Sequence, residues 1–272
     1  MIIDTHAHIY SSDEENYSPI SDPYKPPRGT GDTSHLRDEM AKAGVDRAVL
    51  IQTSTFYRWD NRYLRDTAAL STDWATGVCT LDPDNPHSPD ILYALYDRFN
   101  VKGMRSIQAA DGSYDGPGVR RLWREASELG IVINSLIPLE VSDQLETLLG
   151  DFPNLSVVLD HCLSLKYGED YDATVSKVLD LAQYPNVYAK LTFIPTGSAE
   201  LFPFRDMHDA CKRFIDAYSP YRCIWGSDFP LELWAPKVTY NDHLRIFQEY
   251  LGLNPEEQTA ILGGTAECLW FK

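Results

Sequence analysis

Short apolar runs rich in β-branched residues alternate along this chain with longer stretches whose apolar positions recur every three or four residues. A run of about five apolar residues between turn-formers reads as a strand, and a 3.6-residue period reads as a helix. The pattern predicts strands over Ile2–Thr5, Arg47–Gln52, Ala75–Cys79, Val101–Ser106, Ile131–Ser135, Ser156–Asp160, Val187–Leu191 and Cys223–Trp225. It predicts helices over Ser34–Ala43, Asn61–Ser71, Pro89–Phe99, Val119–Leu129, Ser142–Gly150, Tyr171–Gln183, Pro203–Tyr218 and Val238–Tyr250. Boundary residues agree with the pattern. Ser34 is placed to cap the first helix and Gly44 to end it, while Gly130 follows the fourth. Ser142 opens a stretch in which Leu145, Leu148 and Leu149 repeat at helical spacing. Pro255-Glu256-Glu257 makes a favourable first turn for a last helix.

Strands alternating with helices imply parallel pairing through right-handed crossovers. Eight such units in 272 residues predict an α/β protein with one closed (β/α)8 TIM-type barrel spanning residues 1–272. The competing doubly wound sheet places a Gly-rich phosphate turn after its first strand. Here that position reads His-Ala-His-Ile-Tyr. One segment, Ser11–Asp32, breaks the rhythm with Pro19, Pro23, Pro26, Pro27, Gly29 and Gly31. It is too long and too Pro-rich for an ordinary connection after strand one, and the expectation is a loop that covers a substrate.

Charge narrows the partners. The formal net charge is -16, which disfavours nucleic-acid backbones and anionic membranes while leaving room for a small anionic substrate held by local cations. No apolar run is long enough to span a bilayer, and Asp4 and His6 interrupt any signal-peptide pattern, so a cytoplasmic protein is expected. Cys79, Cys162, Cys211, Cys223 and Cys268 are scattered and form no C-x-x-C, as in a reduced set of mostly buried thiols. Trp59, Trp123, Trp234 and Trp270 leave room for an aromatic contact surface between copies in a homo-oligomer.

The candidate chemistry lies at the ends of the predicted strands, where (β/α)8 enzymes collect their active sites. His6 and His8 share one face of strand one by the two-residue period of a strand. Strand four ends in Arg105, strand six in Asp160-His161, strand seven carries Lys190, and strand eight leads into Trp225-Gly226-Ser227-Asp228. His6, His8, His161 and Asp228 form a nitrogen-rich set that suits one divalent ion, zinc or manganese, with a position open for water. Asp228 is the expected general base, with His161 as its catalytic partner. Arg105 can hold a substrate carboxylate bidentately. Lys190, Tyr10, Tyr57 and Arg58 are expected to line the pocket. The remaining histidines, His35, His87, His208 and His243, are expected at the surface.

The segments IIDTHAHIY, GVDRAVLIQ, VKGMRSIQ, LSVVLDHC, NVYAKLTF, WGSDFP and ILGGTAECLW, in this order through the whole chain, resemble the amidohydrolase superfamily, in particular its amidohydrolase-related (amidohydrolase 2) family. That family includes 2-pyrone-4,6-dicarboxylate lactonase, other lactonases and several aromatic-acid decarboxylases. The resemblance implies that His6 and His8 are the strand-one pair and that His161 holds metal or polarises substrate. It also implies that Asp228 closes the site as base and sometimes as ligand, and that Arg105 grips a carboxylate. Some lactonases of the group work without metal, their histidines serving as hydrogen-bond donors. No carboxylated lysine or glutamate stands where the binuclear members bridge two metals, and Lys190 stands where the decarboxylases usually offer a further histidine. Thr265 replaces a frequent Asn. The expectation is therefore a lactonase-like hydrolase acting on a small carboxylated lactone or similar cyclic ester. A metal-dependent decarboxylase, a lactone isomerase and a non-catalytic small-molecule-binding barrel are the alternatives.

Overall fold

The computed structural model describes residues 1–272. Eight parallel strands pair in chain order: β1 (Ile3–Ala7), β2 (Arg47–Ile51), β3 (Ala75–Thr80), β4 (Val101–Ser106), β5 (Val132–Ser135), β6 (Val157–Leu159), β7 (Val187–Lys190) and β8 (Cys223–Ile224). Each falls within two residues of its sequence-predicted bounds. The ladder is continuous from β1 to β8. Between β8 and β1 the barrel is closed by single backbone bonds from the segment after β8. Thr5 N donates to the Trp225 carbonyl (3.2 Å), Asp228 N to the His6 carbonyl (2.9 Å) and His8 N to the Phe229 carbonyl (2.8 Å).

Strand and helix patterning produce two apolar layers. Inside the barrel, Ile3, Val49, Ile51, Val78, Val132, Val158 and Ile224 pack with Ala266 and Trp270 from the last helix (Thr265–Trp270). Between barrel and helices lies the larger core, in which the Leu145, Leu148 and Leu149 repeat is fully covered. Burying one such side chain contributes about 1.5–3 kcal/mol.

Local corrections have local causes. Asp32, not Ser34, caps the first long helix (Thr33–Ala43), its carboxylate accepting from His35 N at 2.8 Å. Gly44 and Gly130 end their helices in the left-handed conformation that an L side chain resists. The capping box at the last-helix region uses Asn254 and Glu257 around Pro255. The helix predicted from Val238 begins at Tyr240 and widens into a π-type turn over Ile246–Tyr250. Trp123 and Trp270 are core residues rather than parts of a contact surface, and Trp59 and Trp234 are half-buried. His243 and His208 are buried, contrary to expectation; only His87 is fully at the surface, with His35 half-buried. All five cysteines are free thiols, and only Cys268 is exposed. No helix is long and apolar enough to cross a membrane.

Candidate active site at the C-terminal mouth of the barrel

β1 delivers His6 on its inward face, and His8 follows just beyond the strand with its ring on the same side. Their Nε2 atoms stand 3.2 Å apart. His8 Nδ1 bonds the Ile51 carbonyl at 2.9 Å, so it carries the proton and Nε2 presents a lone pair. Arg105 Nη2 lies 2.9 Å from His6 Nε2, and a guanidinium only donates, so this nitrogen also presents a lone pair. Two lone pairs thus converge on one point, with Asp228 Oδ1 3.6 Å from His6 Nε2. Burial holds both imidazoles well below their ordinary titration, His6 further lowered by Lys190 and His8 by Arg105.

Beneath the histidines sits an ion cluster built from three strand ends. Asp160, after β6, takes Arg105 Nε at 3.0 Å on one oxygen and Lys190 Nζ at 2.9 Å on the other. Asn134 of β5 donates to it at 2.9 Å. Burial pushes the Asp160 carboxyl up, but Lys190 and Arg105 together outweigh that and hold it below the usual carboxylate range. Lys190 is fully buried; desolvation pulls its ammonium down and Asp160 offsets part of the effect. Its Nζ also lies 3.2 Å from His6 Nδ1. Arg105 and Lys190 therefore meet at His6 from opposite edges of one ring, with Asp160 as their common counter-ion.

The two other candidate catalytic residues have left-handed backbones. His161 to Ser164 run through four consecutive positive φ angles of 52°, 47°, 60° and 56°. Left-handed L-residues cost about 1–2 kcal/mol each, and here Cys162 and Leu163, both buried, hold the turn against the core. The turn directs the His161 ring to the centre, 4.6 Å from the His6 ring, with Nδ1 2.7 Å from Thr192 Oγ1. A hydroxyl either donates or accepts, so His161 can show the cavity a lone pair or an N–H. Enclosure lowers His161 to about 3.

Asp228 has φ 63° and precedes a cis Phe229–Pro230 bond. Burial raises its carboxyl to about 7, with Arg105 opposing. Its placement depends on Gly226, where an added Cβ would meet His6 Cβ at 2.7 Å and His6 N at 2.9 Å. Asp4 ties the same seam together, accepting from His6 N (3.0 Å), Ser227 N (2.8 Å), Ser227 Oγ (2.6 Å) and Tyr240 OH (2.9 Å).

Above this floor opens a cavity of about 370 Å³. His8, Arg105, His161 and Asp228 reach it from below. One wall is Thr53-Ser54-Thr55 after β2, and another is Ser164-Leu165-Lys166 after β6; Leu136, Thr196 and Trp234 complete the lining. Ligand atoms of His6, His161 and Asp228 lie within 4.8 Å of one another. The structure thus brings His6, His8, His161, Asp228, Arg105 and Lys190 together. Tyr10, Tyr57 and Arg58 stand elsewhere. Tyr10 is buried against Phe56, beside the depression under the long loop. The Tyr57 hydroxyl accepts from Ser11 N at 2.7 Å. Exposed Arg58 stacks on Trp59 beside a separate depression. The Ser11–Asp32 loop contributes no residue to the cavity lining. It buttresses the walls from outside, through Tyr24 N to the Thr55 carbonyl (3.1 Å) and the Tyr24 ring against Trp234 (5.2 Å).

Sequence reasoning named Asp160 at the end of strand six without a role, and passed over Asp4 as a site residue and the hydroxyl wall. Asp160 adjoins His161, and Thr53-Ser54-Thr55 follows a strand end directly, so both carried a positional signal. Lys166 and Trp234 carried none, because irregular loops place them.

Comparison with known proteins finds relatives that span most of the chain. The profile of the family described as Amidohydrolase matches residues 3–272. The chain is 24% identical to an L-fucono-1,5-lactonase from Burkholderia ambifaria over 247 residues, covering 87% of this chain and 83% of the relative. A structure of a probable 2-pyrone-4,6-dicarboxylic acid hydrolase from Acinetobacter baumannii, with citric acid bound, superposes with a TM-score of 0.84 at 20% identity, covering 100% of this chain and 99% of that one. A zinc-bound amidohydrolase from Burkholderia multivorans superposes at 0.75 and 20% identity, with the same coverage.

Proposed function

This chain belongs to the amidohydrolase family, and from that premise we propose that it hydrolyses a small carboxylated lactone. The observation that carries the reading is Asp228, a carboxylate at the cavity floor beside His6 whose titration burial raises to about 7. A general base works best when its pKa lies near the operating pH. A water held against the ring carbonyl gives its proton to Asp228 as its oxygen bonds to the carbonyl carbon. The carbonyl electron pair moves onto oxygen, where Arg105 faces the developing charge, joined by an N–H of His161 when no ion takes that nitrogen. The ring C–O bond then breaks, the proton on Asp228 passes to the departing alkoxide, and the hydroxy acid leaves. The fuconolactonase relative supports the lactone class.

The donor set fits a divalent ion. Two lone pairs 3.2 Å apart match ligands of one tetrahedral ion with bonds of about 2.0–2.1 Å. His6, His8, His161 and Asp228 would hold it, and Arg105 would give up its contact with His6 Nε2. A bound ion would polarise the carbonyl and acidify water. Proton release from a panel of sugar and dicarboxylate lactones tests the reading. Ring opening by the parent and a loss of at least about 10³ in Asp228→Asn are expected. Carbon dioxide release from hydroxybenzoates with no ring opening would overturn it.

A further inference from the structure

The cations at the site are not equally available to a substrate. Arg105 spends Nε on Asp160 and Nη2 on His6, and is 5% exposed. Lys190 is fully buried on the same Asp160 and lines no part of the cavity. Lys166 lines the cavity, is exposed, and has no carboxylate paired with its ammonium. Its backbone is nevertheless fixed on both sides. Leu165 N bonds the His161 carbonyl at 3.0 Å, and Tyr167 N bonds the Gly197 carbonyl at 2.8 Å. Gly197 permits this clamp, since a Cβ there would stand 2.2 Å from the Leu165 carbonyl oxygen. A free charge on a fixed base beside a reactive floor is an anion anchor.

Facing it is a wall of another character. β2 and β6 lie four strands apart in an eight-stranded ring, and so on opposite sides of the mouth. Ser54 and Thr55 after β2 line the cavity there, and their hydroxyls bond no other protein group. Unspent hydroxyls suit a ligand rich in hydroxyls. Lys166 is the lining cation that no carboxylate pairs, whereas Arg105 is already held by Asp160.

We propose that Lys166 anchors the free carboxylate of the lactone substrate. Its hydroxyl-bearing part lies against Ser54 and Thr55, and its carboxylate lies towards β6. The proposal rests on the lactonase reading and adds to it the residue that selects a carboxylated substrate.

The test compares glucaro-1,4-lactone, which carries the carboxylate, with glucono-1,4-lactone, which carries a hydroxymethyl group instead. The parent favours the first in kcat/KM. Lys166→Gln lowers the ratio of the two values by about 10–100-fold, the size expected for one charge-assisted bond. Lys166→Arg keeps the ratio within about threefold. Calorimetric titration with open-chain glucarate gives a second readout, and its affinity falls by about tenfold or more in Lys166→Gln. Lactone turnover with a ratio unmoved by Lys166→Gln overturns the anchor and leaves the hydrolase reading standing. Lys166-dependent glucarate binding without turnover of any lactone keeps the anchor and removes the hydrolase reading. Absence of both binding and turnover overturns both.

Discussion

One guanidinium joins Arg105 to His6: its Nη2 stands 2.9 Å from His6 Nε2 while its Nε holds Asp160 at 3.0 Å. This planar fork spans from β4 to β1 and to the end of β6, and sets which nitrogen of His6 offers a lone pair. Lysine keeps the charge and lacks the fork. Arg105→Lys is therefore expected to lower kcat/KM by about 10²-fold while the protein stays folded. Steady-state kinetics beside far-UV circular dichroism check both parts; parent-like activity would remove the positioning role.

Asp160 is the shared counter-ion of Arg105 and Lys190. Replacing it by Asn leaves two buried cations without a partner, and losing one member of a buried ion cluster costs about 3–5 kcal/mol. Its folded titration lies below that of a free aspartate, so the stability it supplies is present above pH 4 and is lost as the solution is acidified further. Urea titrations of Asp160→Asn and parent should diverge by that amount at pH 7 and converge in acid.

Asp228 works in the opposite sense. Below about pH 4 it is protonated whether folded or unfolded. Between there and about 7 only the unfolded chain ionises it, so the parent loses stability across that window, on the order of 4 kcal/mol in full. Asp228→Asn escapes this loss. Its melting temperature should exceed the parent's by a margin that grows from pH 4 to 7 and then levels. In the parent, kcat/KM should rise with pH along a limb centred near 7 as the base ionises.

Gly226 lies where the chain after β8 passes over His6. Gly226→Ala forces a methyl against His6 and Thr192, with an overpacking cost of about 1–3 kcal/mol and a shift of the histidine. Activity and thermal midpoint should fall together. Gly150→Ala, in a helix with no atom near the added carbon, should raise the midpoint instead, by about 0.5–1 kcal/mol in stability.

The metal reading has its own check. Elemental analysis of protein purified without chelator should find about one zinc or manganese per chain, and His6→Ala should lose it. Added ion should raise the parent's melting temperature, by about 2.7 kcal/mol in stability at a hundredfold excess over its dissociation constant. A chain that neither retains nor is stabilised by either ion would leave the histidines as hydrogen-bonding groups alone.

The sequence exposed what periodicity and strand-end position encode. All eight strands were legible from β-branched runs, and His6, His161 and Asp228 from their places at the ends of three of them. What stayed hidden depends on side-chain reach and irregular backbone. No period announces four successive left-handed residues at His161–Ser164, since that turn is held by Cys162 and Leu163 in the core and not by local preference. Arg105 looked free to meet a ligand because its Asp160 partner lies 55 residues away. The Pro-rich loop looked like a cover because it follows β1, yet Tyr24 fastens it to the outside of the walls. His243 looked exposed on the helix predicted over Val238–Tyr250, but its Nδ1 bonds the Ser227 carbonyl at 3.0 Å, behind the catalytic turn.

The seam between β8 and β1 is fastened by the backbones of His6, His8 and Asp228's own turn. Ring closure and assembly of the reactive groups are consequently one event. A barrel whose ends are not joined holds Asp228 away from His6 and lacks the geometry of the centre. The same coupling makes β1 and the turn after β8 the places where a disturbance reaches the chemistry soonest: a change that pries at the first strand would disarm the protein before it melted.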